Sequence, residues 1–206
     1  MTNLFELLNG QLNDNLINTL SSQIGAEPKQ TAIAAQGIVS TLIGGLAKNA
    51  STPDGAASLA KALDRDHDGS ILNNLVGMLG GQAQQQQPKA LDGAGIISHI
   101  LGNRQNGAVD MISNMSGLDK NKTGSLMMML APIVMGMLGK QKQQSGLDIG
   151  GLMNLLNGTV KQQKSTGNPL MDMATRFLDK DGDGSIVDDI AGMVGKGLFG
   201  KLLGRK

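Results

Sequence analysis

The chain has 206 residues and a net charge of +1, with 40% apolar and 17% charged residues. So even a balance offers no field to gather nucleic acid, and three Phe with no Trp or Tyr give no platform for stacking bases. Cysteine is absent, which excludes disulfides, thiolate metal sites and a thiol nucleophile.

The first residues, MTNLFELLNGQLNDNL, have neither a basic n-region nor an apolar h-region and are not read as a signal peptide. No stretch is uninterruptedly apolar for the length of a membrane span. A cytoplasmic protein is therefore expected.

Leu12, Leu16, Ile17, Leu20 and Ile24 fall on one helical face. Pro28 suits a first helical turn, and the spacing predicts a helix from there towards Lys48. Thr52-Pro53 reads as N-cap and first position of a helix to Leu63. The Gln-rich run 81–89 reads as a linker. His99, in GIISHIL, reads as a structural residue on a helix. Met111, Met115, Met127, Met128, Met129, Met135 and Met137 crowd the middle of the chain, where core filling in an aromatic-poor protein is the expected role. KQKQQSG (140–146) and KQQKSTGNP (161–169) are further breaks. Asn168-Pro169 then repeats the capping device before a helix to Leu178. In the tail GKGLFGKLLGRK, Leu, Phe and Lys fall on nearly all sides of a helical wheel, so a membrane-surface helix is not expected.

No segment alternates with period two. The predicted class is all-α: a bundle of short helices with an internal repeat and two EF-hand-like helix-turn-helix units. The units are drawn as residues 1–80, a Gln-rich linker 81–90, a second helical repeat 91–157, and a C-terminal helix-turn-helix 168–206. One repeat relates 53–80 to 169–195. Another relates 25–49 to 117–141 at a constant offset of 92, pairing Gly25, Thr31, Gly44, Leu46 and Lys48 with Gly117, Thr123, Gly136, Leu138 and Lys140.

The chemistry concentrates in two acidic turns. LDRDHDGSILNNL (63–75) and LDKDGDGSIVDDI (178–190) agree at seven of thirteen positions. A calcium loop needs carboxylates at positions 1, 3 and 5, Gly at 6 and a backbone carbonyl at 7. Asp64, Asp66, Asp68, Gly69 and Ser70 fit, as do Asp179, Asp181, Asp183, Gly184 and Ser185. Position 12, where a bidentate Glu is expected, holds Leu75 and Ile190, with Asp188 and Asp189 just before the latter. Three Asp at alternate positions repel one another unless a cation sits among them, so Ca²⁺ is expected, more strongly in the second turn. Asp119-Lys-Asn121-Lys-Thr123 resembles a third such loop, but its partner in the repeat is Glu27-Pro28, so it reads as a helix start. Gly195-Lys-Gly197-Leu-Phe-Gly200 matches a dinucleotide motif only formally, for no strand precedes it.

These turns, with LNGQL (8–12), IGGLAKN (43–49) and LAPIVMG (130–136), resemble the bacterial domain-of-unknown-function family 937, related to YidB-like proteins. The resemblance covers most of residues 1–157 and implies an all-helical fold with no established activity. Separately, the turns resemble EF-hand and dockerin loops except at position 12. The expected function is a non-enzymatic helical protein with structural calcium-binding turns. The alternative is a metal-free protein that binds a protein partner or copies of itself.

Overall fold

The computed structural model describes residues 4–70, 72 and 92–179. Among these residues the regular structure is helical throughout, in the order α1 (Leu4–Gln11), α2 (Asp14–Ile24), α3 (Pro28–Asn49), α4 (Pro53–Asp66), α5 (Gly93–Leu101), a 3₁₀ turn (Gly102–Arg104), α6 (Gln105–Ser116), α7 (Lys120–Gln144), α8 (Ile149–Ser165) and α9 (Pro169–Leu178). The starts follow local chemistry. The side chains of Asn13, Thr52, Asp92, Asp119, Asp148 and Asn168 each accept a backbone N–H of the first turn they cap. Asp119 thus serves as an N-cap, accepting from Lys122 N at 2.9 Å.

α3 is the hub. It packs against α1, α2, α5, α6, α7, α8 and α9. Its residues from Gly37 to Ala47 are all buried, so it has almost no polar face along that length. The hydroxyls of Thr31, Ser40 and Thr41 donate to the carbonyls of Glu27, Gln36 and Gly37 one turn earlier, so none needs a partner on a neighbouring helix. Close approach is possible because side chains are missing where neighbours arrive. A Cβ on Gly45 would lie 2.6 Å from Ile100 Cγ2, and one on Gly44 2.9 Å from Leu178 Cδ1.

α7 is the second long core helix and contains Pro132. Proline has no N–H to offer the carbonyl of Met128 one turn back. That carbonyl instead faces the start of α5, where a Cβ on Gly93 would come within 2.0 Å of it. α3 and α7 are each long and apolar enough to cross a membrane, but 78% and 72% of their most apolar windows are buried within the fold. One continuous core runs from Leu4 to Leu178. Met127, Met135 and Met171 are buried in it, and Met111, Met115, Met129 and Met137 pack against it.

Leu42, fully buried on α3, and Met173, 39% exposed on α9, give contrasting substitutions. Leu42→Ala should cost about 2–5 kcal/mol and Met173→Ala less than about 0.5 kcal/mol, read from urea denaturation midpoints.

Candidate functional site: the acidic turns

α4 is amphipathic, burying Ala56, Leu59, Ala60 and Leu63, and it ends in the first acidic turn. His67 follows the helix, its N–H reaching Leu63 O at 3.3 Å. Gly69 takes φ +92°, a conformation that side-chain-bearing residues avoid. The turn's backbone lies directly on α7. A Cβ on Gly139 would meet His67 O at 1.7 Å, and one on Gly69 would meet Lys140 Cβ at 2.8 Å. The glycines at both faces of this contact let two backbones touch.

The three carboxylates turn to different donors. Asp64 Oδ1 accepts from Lys142 Nζ of α7 at 2.6 Å. Asp66 pairs with the adjacent Arg65 guanidinium, whose Nε lies 2.8 Å away. Asp68 Oδ1 accepts from Ser70 N at 2.9 Å, and Leu72 N reaches Gly69 O at 3.1 Å. A calcium cage needs its oxygens gathered about one point; here each of the three carboxylates has a donor of its own. Among the described residues, no three His, Cys, Asp or Glu side chains come close enough to share a metal ion.

Hydrogen bonding from Ser70, through its side chain and its N–H, holds the exposed Asp68 below the usual carboxylate range. His67 behaves differently. Only 5% of it is exposed, although it stands in the middle of an acidic sequence, and its Nδ1 has no hydrogen-bond partner. Burial pushes its pKa down, against a smaller upward pull from Asp66.

The second acidic turn begins where α9 docks on α3. Lys48 Nζ donates to Leu178 O at 2.6 Å, and the helix stops at Asp179, whose backbone is extended while its N–H still reaches Thr175 O at 2.8 Å. Asp181, Asp183, Ser185, Asp188 and Asp189 lie outside the described residues, as does Ile71 beside the first turn. His99 is exposed; its backbone carbonyl accepts from Asn49. The sequence reading missed the receiving surfaces, namely Lys142 with Gly136 and Gly139 for the first turn, and Lys48 with Gly44 for α9. The paired glycines were visible in sequence, but nothing linked Asp64 to a lysine 78 residues away.

The chain belongs to a family of bacterial proteins of unknown function, DUF937, whose family model matches residues 6–141. No curated protein and no solved structure matches it.

His67 makes stability depend on pH in a stated direction. Its folded pKa lies below the ordinary 6.5, so the unfolded chain binds the proton more readily. Stability should be full above pH 6.5 and should fall as pH drops below that value towards the folded pKa. The Asp68 contribution should hold until pH falls below its ordinary 3.8. Melting midpoints of the parent and His67→Gln, followed through the first window, check this: the variant should lose the slope just below pH 6.5 and keep the steeper loss in stronger acid.

Proposed function

We propose that the protein is a non-enzymatic helical scaffold, serving protein partners or further copies of itself, in which the first acidic turn is a clasp and not a reaction centre. The observation that carries this reading is the Asp64–Lys142 bond together with the seating of His67 on Gly139. The most chemical stretch of the described chain is occupied in joining α4 to α7. Lys142 is 13% exposed and Asp64 57%, so the bond is only partly screened by water.

A second reading keeps calcium as a structural ion. It is favoured by the left-handed Gly69 and by the Asp68–Ser70 turn, both features that an EF-hand-like loop also needs. In that case the cation would draw Asp64 away from Lys142. Melting with millimolar calcium and with chelator separates the two. For a clasp, the midpoints coincide and Lys142→Met lowers them by about 2–4 °C, equivalent to about 1 kcal/mol. For a calcium loop, calcium raises the midpoint and rescues Lys142→Met.

The scaffold is further read as a duplicated unit, α1–α3 repeated in α5–α7. Gly25 and Gly117 end α2 and α6 in the left-handed conformation, with φ of 61° and 75°. Thr31 and Thr123 are both fully buried and both donate to the carbonyl four residues back. Leu20 and Ile112, likewise 92 positions apart, are both 0% exposed. Two bonds are reciprocal: Gln30 Nε2 donates to Gly117 O at 3.1 Å, and Lys122 Nζ donates to Gly25 O at 2.6 Å. Gln30 and Lys122 are themselves 92 apart, as an approximate twofold axis between the units requires. If the positions are equivalent, Gln30→Lys should stay within about 0.5 kcal/mol of the parent, while Gln30→Leu should lose about 0.5–1.5 kcal/mol. Urea titration measures both, and unfolding by Gln30→Lys would remove the equivalence.

A further inference from the structure

An open groove of about 660 Å³ lies between α5, α6 and the first turns of α7. Ile97 and Met127 face it from the core, and Val109, Gly124 and Ser125 stand among its walls. Nothing lies within 4 Å of where a Cβ on Gly124 would be. At the rim, Lys120 Nζ and Asp110 Oδ1 pair at 2.8 Å, with side chains 65% and 48% exposed.

The duplicated-unit reading, on which this inference rests, shows why the groove is there. The counterparts of Ile97, Val109, Gly124 and Ser125 at the offset of 92 are Phe5, Ile17, Ala32 and Ile33. At all four positions the second unit carries the smaller side chain, and at one of them an apolar residue has become a hydroxyl. Met127 in place of Ala35 returns part of the lost volume, as a flexible floor. The rim changed as well: Asp110 and Lys120 stand where the first unit has Asn18 and Pro28. Smaller side chains at these four positions and a new charge pair therefore occur together in the second unit. A volume of this size is in the range of small-molecule sites.

We propose that the groove binds a free hydrophobic α-amino acid. Its apolar side chain would take the space that the larger residues fill in the first unit. Its ammonium would face Asp110 and its carboxylate Lys120, exchanging one ion pair for two. An apolar anion would set its charge against Asp110, and an apolar cation against Lys120. A zwitterion satisfies both rim groups, and the Ser125 hydroxyl offers one further hydrogen bond inside the groove.

The test uses the full chain labelled at its methionine methyl groups, with L-phenylalanine as probe. L-phenylalanine should shift the Met127 and Met128 signals. At about 100 times its dissociation constant it should raise the melting midpoint by about 5–10 °C. N-acetyl-L-phenylalanine amide, which lacks both charges, should do neither. Refilling the groove with Gly124→Ala and Ser125→Ile should abolish the response while the protein melts no lower than the parent. Asp110→Asn should weaken binding at least about tenfold. Absence of any shift with L-phenylalanine, equal binding of the uncharged analogue, or undiminished binding by the refilled variant would overturn the proposal. Should Gln30→Lys unfold the protein while L-phenylalanine still binds the parent, the site stands and only the duplication falls.

Discussion

A helix buried on every side from Gly37 to Ala47 is the constraint around which this fold is arranged. Each buried polar group on α3 must be satisfied without water, and each neighbour must come close enough to exclude it. The chain meets the first condition with hydroxyls that bond back to their own helix, at Thr31, Ser40 and Thr41. It meets the second with small residues, so that Ile100 and Leu178 reach the helix surface at Gly45 and Gly44. With almost no aromatic residues to span gaps, close approach of backbones does the filling that large rings do elsewhere.

The first acidic turn obeys the same logic at a smaller scale. Three aspartates on alternate residues repel one another, and that repulsion can be relieved by a shared cation or by separate donors. Lys142, Arg65 and the Ser70 N–H are such donors. The contact with Gly139 then fixes the turn through its backbone, independently of charge. On the calcium reading the ion would have to displace Lys142 from Asp64, so its binding would be measured as loss of that ion pair.

Much of the helical content could be read from the chain because helix starts are local. Thr52-Pro53 and Asn168-Pro169 announce α4 and α9, and the comparison of Asp119 with Glu27 placed the start of α7 correctly despite its calcium-like spacing. The placement of those helices was not readable in the same way. α9 lies on α3 and α4 lies on α7, contacts between segments far apart in sequence that leave no periodic signal. The burial of His67 is not legible for the same reason. Its neighbours in sequence are acidic and suggest exposure, while its backbone carbonyl lies against Gly139 of α7. The position of Lys142 in the clasp shows the limit from the other side, since a lysine in KQKQQSG reads as part of a solvated break.

The order in which the chain is made gives α3 a further significance. Its last basic residue, Lys48, precedes its docking partner Leu178 by 130 residues. At bacterial rates of synthesis that interval is roughly 6–26 s, during which the cover of the hub arrives one helix at a time. The segment is long and apolar enough, as a helix, to cross a membrane, with a mean hydropathy of 1.2 over its most apolar window. The same glycines and hydroxyls that permit close packing later also keep the nascent segment from being more apolar. A variant that replaced them with leucine or valine would present the ribosome exit with a stronger candidate for membrane insertion long before α6 to α9 could reclaim it.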